Sequence, residues 1–98
     1  MPMKQEFSYL LDVVSHFATR YGLTNREKEI VHNLAKYGYS NKKLADELCI
    51  TEKTVKNHIA KIQEKTKTNS TRELLALVVE QFILHHRVMV DKVLTFAL

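Results

Sequence analysis

The chain has 98 residues, enough for one domain around a single small core and too few for a catalytic or sensing module beside it. Hydrophobic residues make up 45% and charged residues 27%, with two Gly and one Pro, which predicts an ordered all-α chain and excludes a strand-rich or low-complexity one. The net charge of +4 is confined to Lys36–Lys67, where eight Lys face four acids, while the rest of the chain sums to zero, so a uniformly charged surface is excluded.

At the N-terminus Phe7, Leu10, Leu11, Val14, Phe17, Ala18 and Tyr21 recur at helical spacing. Residues from about 5 to 21 are therefore an amphipathic helix, ended by Gly22. No basic region followed by a long apolar run opens the chain, so no signal peptide is expected. In "LTNREKEIVHNLAKYG" Thr24 precedes a second helical pattern and Glu27 lies three residues later, the spacing of a capping box. Ile30, Val31, Leu34 and Ala35 form the buried side of this helix, and Gly38 stands where the chain leaves it.

Ser40 then caps a short helix with Leu44, Ala45 and Leu48 as its apolar stripe, and Thr51 caps the next. Two short helices separated only by the residues around Cys49 and Ile50 have the spacing of a helix-turn-helix. Cys49 has no second thiol to pair with, which excludes an internal disulfide and fits a reducing cytoplasm.

On a helical wheel of residues 51–66, Val55, Ile59, Ile62 and Thr66 share a narrow arc with His58 at its border. The opposite side collects Lys53, Asn57, Ala60, Lys61 and Glu64, with Lys56 on one flank and Lys65 on the other. Lys can donate to guanine, Asn can pair bidentately with adenine, and Ala permits close approach or meets a thymine methyl, so Lys56, Asn57 and Ala60 are candidate base readers in a DNA major groove. The helix starts at Ser40 and Thr51 attract phosphate, and Lys42, Lys43, Lys53 and Lys61 could neutralise it. Taken alone, a lysine-rich helix face is more often simply solvated. The preceding short helix and the concentrated charge favour DNA.

Leu23 to Ile62 resembles the LuxR/GerE-type, also called FixJ/NarL-type, helix-turn-helix domain of bacterial transcription regulators. The likeness rests on Leu23-Thr24, Arg26-Glu27, Glu29-Ile30, Ser40-Asn41-Lys42, Ala45, Leu48, Ile50 and Thr54-Val55-Lys56 followed by His58. It implies that the helix after Thr51 enters the major groove with Lys56 and Asn57 on the bases, and that Lys42, Thr54 and Lys61 meet phosphates. It also implies four helices, the last starting near Ser70 and pairing with its mate in a homodimer. The sequence departs from the family pattern at Lys43, where a Glu is common and would complete a capping box. Ala60 stands where some relatives carry a polar base contact, Thr66 replaces a Leu, and Lys67 replaces a Gly in the link to the last helix.

Ser70 and Glu73 form a second capping box ahead of the last helix. From Leu74 to Leu98 seventeen residues of twenty-five are apolar, more than one side of a helix can bury against a small core. Leu75, Val78, Val79, Phe82, Ile83 and Met89 are therefore candidate dimer contacts, with Phe7, Leu11, Val14 and Phe17 adding an apolar layer. The tail "VMVDKVLTFAL" has enough β-branched residues to be compatible with a strand or an irregular segment. Accordingly the chain divides into an N-terminal helix (1–22), the helix-turn-helix domain (23–84) and an apolar C-terminal extension (85–98). Charges at Glu80, Arg87, Asp91 and Lys92 break the apolar run, leaving no membrane span and no expected membrane partner.

His58 fits packing at the edge of the buried side rather than a catalytic base. His85 and His86 point about 100° apart and have no partner at ligand spacing, so no metal site is expected. No nucleophile triad, phosphate loop or paired carboxylates appear, so neither catalysis nor a cofactor is implied. The expectation is a cytoplasmic, sequence-specific regulator that binds double-stranded DNA as a homodimer and acts on RNA polymerase. Its rival is a protein-interaction module using the helix-turn-helix as a scaffold.

Overall fold

The computed structural model describes residues 2–97, with side chains over 9–92 and at 94. The described residues are all-α, with five helices and no strand: α1 (Pro2–Tyr21), α2 (Asn25–Tyr37), α3 (Asn41–Leu48), α4 (Glu52–Thr66) and α5 (Thr71–Ala97). Among them no helix is long and apolar enough to cross a membrane.

Helix ends follow from local chemistry. Glu27 N donates to Thr24 Oγ1 at 3.2 Å and Thr24 N donates to Glu27 Oε1 at 2.9 Å, so both halves of the first capping box form. At α5 the expected box is altered: Glu73 N donates to Ser70 Oγ, but the Glu73 carboxylate accepts from Asn69 N, one residue earlier than the reciprocal position. Helix α1 closes with Gly22 in the left-handed region and Leu23 N donating to Ala18 O at 2.9 Å. The ends of α3 and α4 use the same closure without glycine. Cys49 and Lys67 both sit at φ 56°, with Ile50 N bonded to Ala45 O and Thr68 N to Gln63 O.

All five helices contribute to one core. Val13, Val14, Phe17 and Ala18 of α1 are buried with Ile30, Val31 and Leu34 of α2, Leu44 and Ala45 of α3, Val55, Ile59 and Ile62 of α4, and Leu74 and Val78 of α5. Leu11, expected on the apolar side of α1, is exposed, and Val13 takes the inward position instead. The side chain of Phe7 lies outside the described residues. Thr66 is buried where an aliphatic residue would need no partner, and its hydroxyl is satisfied by the Ile62 carbonyl and the Thr68 hydroxyl, each at 2.9 Å.

Helix α5 runs unbroken across positions 84 and 85, so the backbone marks no boundary there and the tail through Ala97 is helical rather than strand-like. Its 27 residues span about 40 Å at 1.5 Å per residue. The molecule is consequently elongated, 53 × 33 × 20 Å with a radius of gyration of 14.9 Å, against about 13 Å for a compact chain of this size. Helix α1 lies along α5, through Tyr9 on Phe82 and His85 and His16 on His85, and Arg20 reaches Glu80 and Gln81.

Candidate nucleic-acid interface

Leu44 and Ala45 of α3 are buried in the same apolar cluster as Val55, Ile59 and Ile62 of α4, which fixes the two helices as one helix-turn-helix. The turn is Cys49-Ile50-Thr51. Cys49 supplies the left-handed residue that reverses the chain, Ile50 packs against the core, and Thr51 starts α4. Because three aliphatic residues and Thr66 suffice to seat α4, the remainder of its circumference stays free.

On that free side Lys53, Lys56, Asn57, Ala60, Lys61 and Glu64 are exposed, and His58 is half-buried at the border. The structure thus brings the three candidate base readers, Lys56, Asn57 and Ala60, onto one open strip of α4. Among the described residues Lys42, Lys53, Lys56 and Lys61 take part in no ion pair, so no carboxylate holds their ammonium groups. Glu64 contributes an exposed negative charge to the same strip, one turn from Lys61.

Lys43 differs. Its ammonium lies 3.2 Å from Glu47 Oε1 and 5.8 Å from the centre of the Tyr39 ring. The hydrogen bond and charge of Glu47 hold it protonated to higher pH than usual, and a phosphate would have to displace that carboxylate.

The two helix starts are ordered by their caps. Ser40 Oγ accepts from Lys43 N at 3.2 Å and Thr51 Oγ1 accepts from Thr54 N at 3.1 Å. The first N–H groups of each helix have no partner within the helix and point outward with the positive end of the dipole. The Thr51 and Thr54 hydroxyls are 2.9 Å apart, and Thr54 is half-buried, so a phosphate there would meet a pre-formed hydroxyl pair rather than two independent side chains.

Two features were not anticipated from the residues. Glu27 is buried, and its Oε1 takes a hydrogen bond from Lys65 Nζ at 2.7 Å as well as the bond from Thr24 N. Burial alone would raise its pKa, but Lys65 and the Thr24 N–H outweigh that and hold the carboxyl below the usual carboxylate range. This pair ties the start of α2 to the end of α4. Its signal was present in part, since Glu27 falls on the same stripe as Ile30, Val31 and Leu34. The second feature precedes α3: Tyr37 and Tyr39 stack at 4.7 Å with their planes 12° apart, and Lys36 lies 5.0 Å from the Tyr37 ring centre.

Along α5 the candidate dimer contacts divide. Val78 is buried in the core, where it supports the fold and offers no surface, and Leu75 and Phe82 are partly covered by the body of the same chain. Val79, Ile83 and Met89 are 57%, 53% and 46% exposed, and Val90 and Leu94 join them. Among the described residues no group of three or more His, Cys, Asp or Glu could hold a metal ion, and His85 is engaged with the Tyr9 and His16 rings.

The model of a family described as "Bacterial regulatory proteins, luxR family" matches residues 21–78. The transcriptional activator protein ExaE of Pseudomonas putida is 40% identical over 63 residues, which are 64% of this chain and 29% of that protein. The transcriptional regulatory protein LnrK of Bacillus subtilis (strain 168) is 51% identical over 43 residues, 44% of this chain and 19% of its own length. The transcriptional regulatory protein DegU of Brevibacillus brevis is 47% identical over 47 residues, 48% of this chain and 20% of that relative. The chain spans less than a third of the length of these curated relatives. No solved structure matches it significantly.

Proposed function

Because the chain belongs to the luxR family of bacterial regulatory proteins, we propose that it is a sequence-specific reader of double-stranded DNA acting as a homodimer in the bacterial cytoplasm. The observation that carries this reading is the open strip of α4, where exposed lysines and an asparagine stand beside a small alanine. Lys56 and Asn57 read base edges, and Ala60 admits close approach of a thymine methyl. Lys42, Lys53 and Lys61, with the helix starts at Ser40 and Thr51 and the hydroxyl of Thr54, hold phosphates and set the register. Lys43 joins them once it exchanges Glu47 for a phosphate.

Two such domains related by a two-fold axis through α5 would address half-sites about one helical turn apart. Val79, Ile83 and Met89 support this by being exposed and apolar on one long helix. The chain then acts by recruiting or blocking RNA polymerase at a promoter, without chemistry of its own.

The test is titration of random and genomic duplex DNA at several salt concentrations, followed by selection of bound sequences from a random library. Nanomolar binding to an enriched motif, against micromolar or weaker binding to random DNA, is expected. Failure to bind any duplex near physiological salt would favour the protein-interaction module instead.

A further inference from the structure

The outer face of α5 carries an apolar pattern that stays exposed, although His86 and Val90 also border a hollow beside Tyr9 of α1. Ala76, Val79, Ile83, His86 and Val90 follow one another at steps of 3, 4, 3 and 4, all exposed, and the sequence continues the spacing at Val93 and Ala97. Over the described residues this is a heptad seam two repeats long, and a 3.5-residue period is matched by another helix rather than by a flat surface. The inward side of the same helix is already occupied by Leu74 and Val78 in the core.

Charge indicates the partner and its direction. Glu80 and Arg87 stand on one edge of the seam, a heptad apart and opposite in sign, while Leu75, Phe82 and Met89 form the other edge. Antiparallel pairing of two copies about a two-fold axis sets each Glu80 against the Arg87 of the other, whereas parallel pairing would set both charges against the apolar edge. Glu80 is 3.6 Å from Arg20 of its own chain, but both side chains are about half exposed, so that contact is weak and leaves Glu80 available.

We infer that this face pairs antiparallel with α5 of a second copy, and that His86 within the seam makes the pairing proton-sensitive. The inference rests on the homodimer reading and adds its geometry and regulation. In this arrangement His86 packs against Ile83 of the second copy. A neutral imidazole fits there, but an imidazolium would be a cation shed of water in an apolar layer. The charged or titratable groups around it are His85, Arg87 and Asp91 on α5, Tyr9, which lines the same hollow from α1, and Arg87 and Glu80 of the second copy. Arg87 opposes a second positive charge. Histidine is the side chain that gains its charge between pH 8 and 5, so the dimer would loosen as pH falls. A single polar residue in an apolar seam also selects register and oligomeric state.

Sedimentation equilibrium of the full 98-residue chain at pH 8.0 and 5.5 tests this. The dimer dissociation constant is expected to rise about tenfold or more on acidification, to stay unchanged with pH in His86→Leu, and to keep its pH dependence in His85→Gln. Arg87→Glu should weaken the dimer, and adding Glu80→Arg should restore it. A His86→Leu protein that retains the pH dependence overturns the proton-sensing role, and an Arg87→Glu change without effect overturns the antiparallel geometry. A dimer surviving Ile83→Lys lies elsewhere, which sinks the seam while the homodimer reading stands. A chain monomeric at both pH values sinks both.

Discussion

Replacing Lys65 with Met should harm the fold more than replacing its partner Glu27 with Gln, although both changes remove the same ion pair. The asymmetry follows from exposure: the Glu27 side chain is 3% accessible and that of Lys65 is 34%. In Glu27→Gln the amide oxygen can still accept from Thr24 N, and the Lys65 ammonium can swing into water, so the loss is about 1–2 kcal/mol, that of one charge-assisted hydrogen bond. In Lys65→Met a carboxylate stays buried with Thr24 alone left to hold it, and the cost is about 2–4 kcal/mol, slightly below the usual range for orphaning a buried charge. Adding Glu27→Gln to Lys65→Met removes that stranded charge and should therefore restore about 1–2 kcal/mol, so the second mutation rescues the first.

The pH dependence has a definite sign. The Glu27 carboxyl is held below its ordinary value of 4.5, so its stabilisation is complete above that pH and is lost as pH falls through the lowered folded-state value. Glu27→Gln lacks this acid slope. In Lys65→Met burial is opposed by Thr24 alone, so the carboxyl rises from its wild-type position and the penalty shrinks as the pH is lowered from 7 towards 4. Urea unfolding followed by helical circular dichroism at pH 7 and pH 4, at one protein concentration, measures all three variants. A Lys65→Met cost below about 0.5 kcal/mol, the level of a surface pair, or a double variant no better than Lys65→Met, would refute the reasoning.

The remaining predictions concern the interface and the link. Lys56→Ala should cost about 1–3 kcal/mol on the selected DNA sequence and little on random duplex, as measured by fluorescence anisotropy; equal losses on both would remove its base-reading role. Lys61→Ala should weaken every sequence alike and flatten the slope of log K against log salt by about one phosphate contact. Lys67→Gly relieves a left-handed residue that costs about 1–2 kcal/mol, less about 0.5–1 kcal/mol for the added freedom of the unfolded chain. A net gain of about 0.5–1 kcal/mol should raise Tm by roughly 2–8 °C in calorimetry; a lower Tm would mean that Lys67 makes a contact worth more than its strain.

Local rules read much of this protein from its residues. The Thr24 and Glu27 spacing, the glycines at 22 and 38, and the stripe of Val55, Ile59, Ile62 and Thr66 each depend on neighbours within four positions, so the helices, their ends and the open face of α4 were legible in the chain itself. Ambiguity remained where propensity and context disagree. The β-branched tail reads weakly as a helix, yet its backbone bonds are satisfied by continuing α5. Leu11 and Val13 illustrate the same limit, since a slight rotation of α1 against its neighbours exchanges which one faces the core.

What the sequence by itself determined is therefore local: five amphipathic or capped helices, and a basic surface gathered on one of them. Only the tertiary structure decided that Glu27 meets Lys65 across 38 positions. It also decided that Val78 turns inward while Val79 and Ile83 remain exposed. The physical reason is that periodicity specifies which residues share a helix face. Which face is covered, and by what charge or apolar group, depends on the orientation of distant helices that pack around the same core.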